Sequence, residues 1–120
     1  MSGKIVAVKA INRKKFTTSQ ELNIYREVVN LAFLHDDPTI ISFIDFFEEK
    51  EWYMIIMEFL KGGSLFSRLG FKDIYSENDV RDIARELLEG VKYCHDNKIA
   101  HLDLNSKNLL LKVKSCNFLK

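Results

Sequence analysis

The chain has 120 residues, enough for one domain or for part of one. Hydrophobic residues make up 47% of it and charged residues 29%, a balance that argues against intrinsic disorder. Its 18 basic and 17 acidic residues nearly cancel, so bulk charge predicts neither a nucleic-acid partner nor a membrane partner. No apolar run reaches the roughly 18 residues of a membrane-spanning helix, and the N-terminus has no signal-peptide pattern. We therefore expect a cytoplasmic protein in which Cys94 and Cys116 are free thiols.

The first half of the chain is predicted to hold a strand, a helix and a β-hairpin. Ile5 to Ile11 is apolar and β-branched around a single lysine. The hydroxyl groups of residues 17–19 are candidate caps of the helix, and Pro38 ends it because proline cannot continue a helix. The hairpin is formed by two apolar strands joined by a charged turn, Ile40 to Phe47 and Trp52 to Phe59.

The second half is predicted to be mainly helical. Ser76, with Asp79 three residues later, marks the start of a long helix. That helix carries the clearest apolar stripe in the chain, formed by Val80, Ile83, Ala84, Leu87, Leu88, Val91 and Cys94. A loop from Asp96 to Asn108 and a short strand from Leu109 to Val113 follow it. Because strands come first and the long helix later, the predicted fold class is α+β with segregated helices.

Two charged residues in the first half are candidates for a phosphate site. Alternation along the first strand places Ala7 and Lys9 on one face. The apolar neighbours of Lys9 would form a dry wall around it, from which its amine can reach a phosphate. Glu27 lies 18 residues later on the predicted helix, where its carboxylate can pair with that amine. Read alone, Lys9 is an ordinary exposed lysine and Glu27 belongs to a solvated helix face.

A third candidate is the strand that runs into Gly62 and Gly63. Its apolar residues can line one side of a flat pocket, and the backbone at Glu58 and Leu60 can hydrogen-bond the edge of a purine. The alternative interpretation is a core strand that ends in a turn.

The most specific motif is the run from His101 to Leu111. Asp103 and Asn108 lie five residues apart on a predicted loop ahead of an apolar strand. Such an aspartate can accept the proton of a substrate hydroxyl, and such an asparagine can hold a magnesium ion beside it. The run closely resembles the catalytic loop of the protein kinases, whose usual form is H-R-D-L-K-x-x-N.

The other candidates follow one another in the order that protein kinases have, and the long helix resembles the kinase helix that leads into the catalytic loop. The chain therefore resembles a Ser/Thr protein kinase of the calcium/calmodulin-dependent type. The resemblance covers nearly the whole chain but less than half of a kinase domain. It implies a truncated kinase-like fold, with part of the small lobe at residues 1–57, the hinge at 58–65 and the start of the large lobe at 66–120.

That resemblance implies a role for each candidate residue. Asp103 is expected to be the catalytic base and Asn108 a ligand of Mg²⁺. Lys9 is expected to contact the α- and β-phosphates of ATP while it pairs with Glu27. Further contacts with the nucleotide are expected from Ala7, Met57, Glu58, Leu60, Ser64 and Leu110. The implied partners are ATP and a protein substrate or regulatory protein.

Several departures from the family pattern bear on catalysis. Only eight residues precede Lys9, without a Gly-rich loop, and no Asp-Phe-Gly follows Asp103. Leu102 stands where many kinases have an arginine that binds a phosphorylated activation loop. Asn105 stands where Ser/Thr kinases have a lysine that stabilises the transferring phosphoryl group, and electrostatic stabilisation dominates the rate there.

Three functions remain open from the sequence. The first is ATP-dependent phosphoryl transfer to Ser/Thr of proteins by a full-length parent. The second is an inactive pseudokinase or fragment that acts as a nucleotide- or protein-binding scaffold, and the third is a small α+β module without nucleotide function. For the isolated chain we expect no detectable transfer, and poor solubility because the long helix leaves its stripe partly exposed. A close Lys9–Glu27 pair is the structural test of the kinase interpretation.

Overall fold

The computed structural model of this chain describes residues 3–69 and 75–112. The chain divides into two compact units. The first combines Met1–Asp36 with Ile40–Phe59, and the second combines Asp37–Thr39 with Leu60–Lys120.

The first unit is a three-stranded antiparallel sheet with one long helix. Its strands are β1 (Val6–Asn12), β2 (Phe43–Glu48) and β3 (Trp52–Glu58), in the spatial order β1-β3-β2. The helix α1 (Thr18–Leu34) follows β1 after a short 3-10 turn at Arg13–Lys15. Strand β3 lies in the centre, where its alternate apolar side chains are covered and both of its edges are paired.

Helix α1 begins and ends where the sequence predicts. The side chain of Gln20 accepts a hydrogen bond from the backbone N–H of Thr17 at 2.9 Å, which satisfies a donor at the helix start. The helix stops at Leu34, four residues before Pro38. One side of it faces the sheet, and the buried core of this unit consists of Ile24, Leu34, Tyr53 and Ile55.

Within the described residues, the second unit contains two helices and a short ladder. Its elements are β4 (Gly63–Ser64), α2 (Leu65–Leu69), α3 (Glu77–Asp96) and β5 (Leu110–Leu111), and β4 pairs with β5 in antiparallel fashion. A Cβ atom added to Gly62 would lie 2.2 Å from the carbonyl oxygen of Leu111. The close approach of these two backbones therefore requires glycine at this position.

Helix α3 has the predicted reciprocal cap. The Ser76 hydroxyl accepts from the Asp79 N–H at 3.1 Å, and the Asp79 carboxylate accepts from the Ser76 N–H at 2.8 Å. Val80 and Leu88 on the predicted stripe are 54% and 67% exposed, which confirms that the stripe is only partly covered in this chain. Cys94 at the far end of the stripe is a buried free thiol. Burial raises the pKa of that thiol, and the nearby carboxylate of Asp37 adds to the effect.

The structure differs from the predicted strands in three places. Strand β2 begins at Phe43 rather than at Ile40, because residues before it form a turn in which Asp37 accepts hydrogen bonds from Thr39. Strand β4 was not predicted, because its Gly-Ser sequence has no strand propensity and its pairing depends on a distant segment. Strand β5 is shorter than predicted, and Val113, like Cys116, lies outside the described residues.

Candidate active site

The first unit brings three predicted nucleotide contacts to one face of its sheet. Ala7 on β1 lies directly opposite Met57 on β3, and Lys9 lies opposite Ile55. Opposed residues of an antiparallel pair point to the same face, so Ala7, Lys9 and Met57 share the face on which Ile55 is buried. The pairing of two strands thus collects residues that are about 50 positions apart in the sequence.

Glu27 on helix α1 meets Lys9 as the kinase interpretation requires. The Nζ atom of Lys9 lies 2.5 Å from Oε1 of Glu27. The side chains are 47% and 41% exposed, so the predicted dry wall around Lys9 is wrong, because one side of the pair faces solvent. Exposed ion pairs contribute less than about 1 kcal/mol to folding. The pair therefore adds little to the stability of the unit, although it fixes where the lysine amine lies.

The end of β3 is fixed by a two-sided contact between Glu58 and Ser42. The backbone N–H of Glu58 donates to the Ser42 carbonyl at 3.0 Å, and Oε1 of Glu58 accepts from the Ser42 N–H at 2.8 Å. The side chain of Glu58, a predicted nucleotide contact, therefore holds the residue before β2 to the end of β3.

In the second unit, three further predicted contacts lie on the ladder and the turn before it. The carbonyl of Leu60 accepts from the Gly63 N–H at 3.3 Å, and Ser64 pairs with Leu110 in the ladder. The Ser64 hydroxyl accepts from the Ser67 N–H at 3.1 Å at the start of α2. This hydroxyl has a local structural role, and its contact with a ribose stays a prediction.

The loop between α3 and β5 holds Asp103 from several sides. The side-chain amide of Asn108 donates to both Oδ2 and the backbone carbonyl of Asp103, at 2.9 and 2.8 Å. The side-chain amide of Asn105 donates to Oδ1 at 3.0 Å. The backbone N–H of Asp103 donates to Nδ1 of His101 at 3.2 Å. Each carboxylate oxygen of Asp103 therefore accepts one amide hydrogen bond and keeps further lone pairs for a substrate hydroxyl.

The same loop offers an oxygen ligand to a hard cation. Both amide hydrogens of Asn108 are directed to Asp103, so its Oδ1 atom is left as an acceptor. Magnesium typically takes one or two protein oxygens together with substrate phosphates, and the Oδ1 atom of Asn108 fits that pattern as a ligand. Among residues 3–69 and 75–112, no group of three or more His, Cys, Asp or Glu forms a complete metal cage.

The two departures of the loop have distinct surroundings. Leu102 is 93% exposed and has a φ of 65°, a left-handed conformation that leucine rarely adopts. Lys107, the cation closest in sequence to Asn105, places its Nζ 5.2 Å from the centroid of the Phe66 ring. That cation is therefore engaged with an aromatic face of the same unit.

Sequence reasoning missed a polar cluster at the other end of the sheet from Met57. The Tyr53 hydroxyl donates to Glu21 at 3.0 Å, the Tyr25 hydroxyl donates to Glu48 at 2.8 Å, and Arg13 contacts both carboxylates. Hydrogen bonds with Tyr53 and Glu48 raise the pKa of the Tyr25 phenol. The signal in the sequence was the spacing of four residues between Glu21 and Tyr25, which places both on one side of α1.

The family model for the protein kinase domain matches residues 1–120 of the chain. The chain therefore belongs to the protein kinase family. Its sheet, its helices and the loop before β5 match the N-terminal part of that α+β fold, as the sequence predicts.

The similar curated proteins are Ser/Thr kinases. The chain is 34% identical over 116 residues to NUAK family SNF1-like kinase 1 of Homo sapiens, covering 97% of this chain and 17% of that protein. It is 35% identical over 109 residues to calcium/calmodulin-dependent protein kinase type 1 of Caenorhabditis elegans, covering 91% and 31%. It is 39% identical to the serine/threonine-protein kinase SIK1 of Mus musculus over 106 residues, covering 88% and 14%. The chain thus spans less than a third of the length of these relatives.

A solved structure supports the same fold. The crystal structure of Rad53 1-466 in complex with AMP-PNP superposes with a TM-score of 0.83 and 32% sequence identity. The match covers 98% of this chain and 30% of that one. In the described part of the chain, no helix combines the length and apolar character needed to cross a membrane.

Proposed function

We propose that the chain is part of a Ser/Thr protein kinase that transfers the γ-phosphoryl group of ATP to protein hydroxyls in the cytoplasm. The observation that carries the proposal is the loop in which the Asn108 amide donates to both the carboxylate and the backbone carbonyl of Asp103. The pairing of Lys9 with Glu27 supports it from the other unit. The AMP-PNP complex of the Rad53 structure and the kinase names of the relatives agree with ATP as the phosphoryl donor.

In the proposed reaction, Asp103 orients the Ser or Thr hydroxyl and accepts its proton. The hydroxyl oxygen forms a bond with the γ-phosphorus while the bond to the β–γ bridging oxygen breaks, and ADP leaves. Asn108 holds Asp103 through its amide and would hold Mg²⁺ through Oδ1. When bound, Mg²⁺ neutralises charge that develops on the phosphate oxygens.

The nucleotide contacts are proposed separately for each unit. In the first unit, Lys9 contacts the α- and β-phosphates, held by Glu27, while Ala7 and Met57 on the same sheet face contact the adenine. The Glu58 backbone is proposed to contact the purine edge, with its side chain fixed on Ser42. In the second unit, the proposed nucleotide contacts are Leu60, Ser64 and Leu110.

The test is transfer of radiolabelled phosphate from ATP to Ser/Thr peptides by the native full-length protein. Lys9→Met and Asp103→Asn are each expected to reduce the rate by about 10²-fold or more. The matched controls Lys14→Met and Asp82→Asn change exposed side chains in surface ion pairs and should keep the wild-type rate. Transfer that survives both Lys9→Met and Asp103→Asn would reject the proposal.

A second candidate function, a nucleotide- or protein-binding scaffold without transfer, is favoured by Asn105. Its neutral amide donates to Asp103 where the family has a lysine, and Lys107 lies over Phe66. Asn105→Lys separates the two functions, because it restores a cation at the transferring phosphoryl group and leaves the residues proposed to contact the adenine and the α- and β-phosphates unchanged. A rise in transfer of tenfold or more from a silent wild type, at about constant nucleotide affinity, supports the scaffold. Asn78→Lys on the exposed face of α3 controls for the added charge.

A further inference from the structure

The polar cluster on the first unit joins α1 to the sheet through five side chains: Arg13, Glu21, Tyr25, Glu48 and Tyr53. Tyr53 is fully buried, and its hydroxyl donates to Glu21 at 3.0 Å. The Tyr25 hydroxyl lies 3.5 Å from that of Tyr53 and donates to Glu48 at 2.8 Å. Each phenol proton therefore goes to a different carboxylate.

Arg13 completes the cluster between the two carboxylates. Its guanidinium lies 4.5 Å from the centroid of the Tyr53 ring, with Nη1 2.8 Å from Glu48 and Nε 3.7 Å from Glu21. The rings of Tyr25, Tyr53 and Phe46 pack against one another at centroid distances of 5.7 to 6.0 Å. The guanidinium and the two phenol hydroxyls thus contact two carboxylates around an aromatic stack.

The cluster and the Lys9–Glu27 pair contact opposite sides of α1. In the sheet order β1-β3-β2, Lys9 lies on one edge strand and Glu48 on the other. Tyr25 and Glu27 are two residues apart, which places them about 200° apart around the helix axis. Glu27 therefore reaches one edge of the sheet while Tyr25 reaches the other. A helix held at one side only can roll on the sheet, whereas one held at both sides cannot.

We propose that Tyr25 and Tyr53, with Arg13, Glu21 and Glu48, form a second tether that fixes the roll of α1 and so keeps Glu27 on Lys9. The tyrosines are positioning residues for the lysine amine. The inference rests on the proposed function only where Lys9 is said to contact phosphates. The tether itself is a property of the unit.

Acylation of the Lys9 amine by limiting acetic anhydride, read by mass spectrometry, tests the tether without nucleotide. Glu27→Gln gives the rate for an amine without its carboxylate. Tyr25→Phe and Tyr53→Phe remove only a hydroxyl, and each is expected to raise the Lys9 rate about two- to fivefold toward that value. The exposed Lys50 on the hairpin turn serves as the internal standard in the same spectrum.

Three variants separate positioning from general loosening. Tyr93→Phe makes the same chemical change in the second unit and should leave the Lys9 rate unchanged. Glu48→Gln keeps an acceptor for Tyr25 and should raise the rate less than Glu48→Ala. Adding Tyr25→Phe to Glu27→Gln should give no further increase, because the tether acts through Glu27.

The tether is overturned if the Lys9 acylation rate is unchanged in Tyr25→Phe and Tyr53→Phe. It is also overturned if Tyr93→Phe raises that rate equally, or if Tyr25→Phe raises it further in the Glu27→Gln background. Affinity for Mg-ATP, measured with a fluorescent ATP analogue, addresses the proposed function separately. If the tyrosine variants raise the Lys9 acylation rate while Lys9→Met leaves the Mg-ATP affinity unchanged, the tether stands and the phosphate role of Lys9 is wrong. If Lys9→Met abolishes binding but acylation does not respond, the phosphate role stands and the tether is wrong.

Discussion

In the first unit, Lys9 meets Glu27 across 18 residues of sequence, and the contact exists only because α1 packs on the sheet. In the second unit, the hydrogen bonds that Asp103 makes within the described residues come from positions two to five residues away. The Lys9–Glu27 pair is thus a product of tertiary packing, whereas the loop around Asp103 is assembled locally. Changes in the core should therefore disturb Lys9 and leave the geometry around Asp103 largely intact.

Ile55→Ala is the most severe test of this difference between the two units. Ile55 is fully buried opposite Lys9, so its truncation is expected to lower the free energy of unfolding by about 4 kcal/mol. Denaturant unfolding measures this loss, and the Lys9 acylation rate should rise with it. Leu111→Ala removes a comparable side chain in the second unit and should leave the Lys9 rate unchanged. An equal response of Lys9 to both changes would contradict the division into separate sites.

Gly62→Ala applies the converse perturbation to the second unit. The new Cβ would meet the Leu111 carbonyl, which cannot rotate away, so the β4–β5 ladder is expected to lose about 3 kcal/mol. Amide hydrogen exchange at residues 62–64 and 110–111 should accelerate while Lys9 acylation stays constant. Gly3→Ala, where nothing lies within 4 Å of the added atom, is the control. Protected ladder amides in Gly62→Ala would show that the backbones can separate at little cost.

Asn105→Ala tests whether the loop around Asp103 is held only by its own residues. The change removes the donor to Oδ1 of Asp103 and the acceptor of the Lys107 N–H, at an expected cost of about 1 kcal/mol. Hydrogen exchange should accelerate at residues 101–109 only. Ser106→Ala in the same loop is the matched control. Faster exchange in α1 of the Asn105→Ala variant would show that the loop is coupled to the first unit.

The helix caps of the two units are expected to respond differently to acid. The Ser76 hydroxyl and N–H hydrogen-bond the Asp79 carboxylate and hold its pKa below the ordinary value of 3.8. A lowered pKa in the folded state contributes stability above the unfolded pKa, and this stability is lost as pH falls through the folded pKa. The cap of α1 uses Gln20, which does not titrate.

Circular dichroism between about pH 5 and pH 2 should show that Ser76→Ala reduces the acid-dependent loss of helix. The reason is that the hydroxyl is the largest cause of the lowered pKa. Thr17→Ala at the start of α1 should leave the pH dependence as it is in the wild type. Identical acid profiles for Ser76→Ala and wild type would assign the transition to other carboxylates.

The smallest expected effect is at Leu102. Asparagine tolerates a left-handed backbone better than leucine, so Leu102→Asn should raise the free energy of unfolding by about 0.5 kcal/mol. Leu104→Asn, at a half-covered position outside that conformation, should lower it instead. Thermal unfolding of both variants measures the difference. Destabilisation by Leu102→Asn would indicate that the exposed leucine makes a contact in solution.

Elements whose signals are local could be predicted from the residues alone. The caps at Thr17 and Ser76, the end of α1 before Pro38 and the stripe of α3 all follow from hydrogen bonding and periodicity within a few residues. The loop from His101 to Leu111 belongs with them, because its motif fixes both the residue types and the spacing that hold Asp103. This local character is why the kinase family could be predicted from the residues.

Features that join distant segments could not be predicted in this way, because they depend on how the folded chain packs. The β4–β5 ladder needs Gly62 against Leu111. The contacts of Arg13 and Tyr53 need a sheet that brings β1, β2 and β3 together with α1. Side chains such as Tyr25 carry no motif, since their value comes from which partner the packing places opposite them. Even the exposure of Lys9 followed from that packing, because strand alternation fixes the face of a residue but not what covers it.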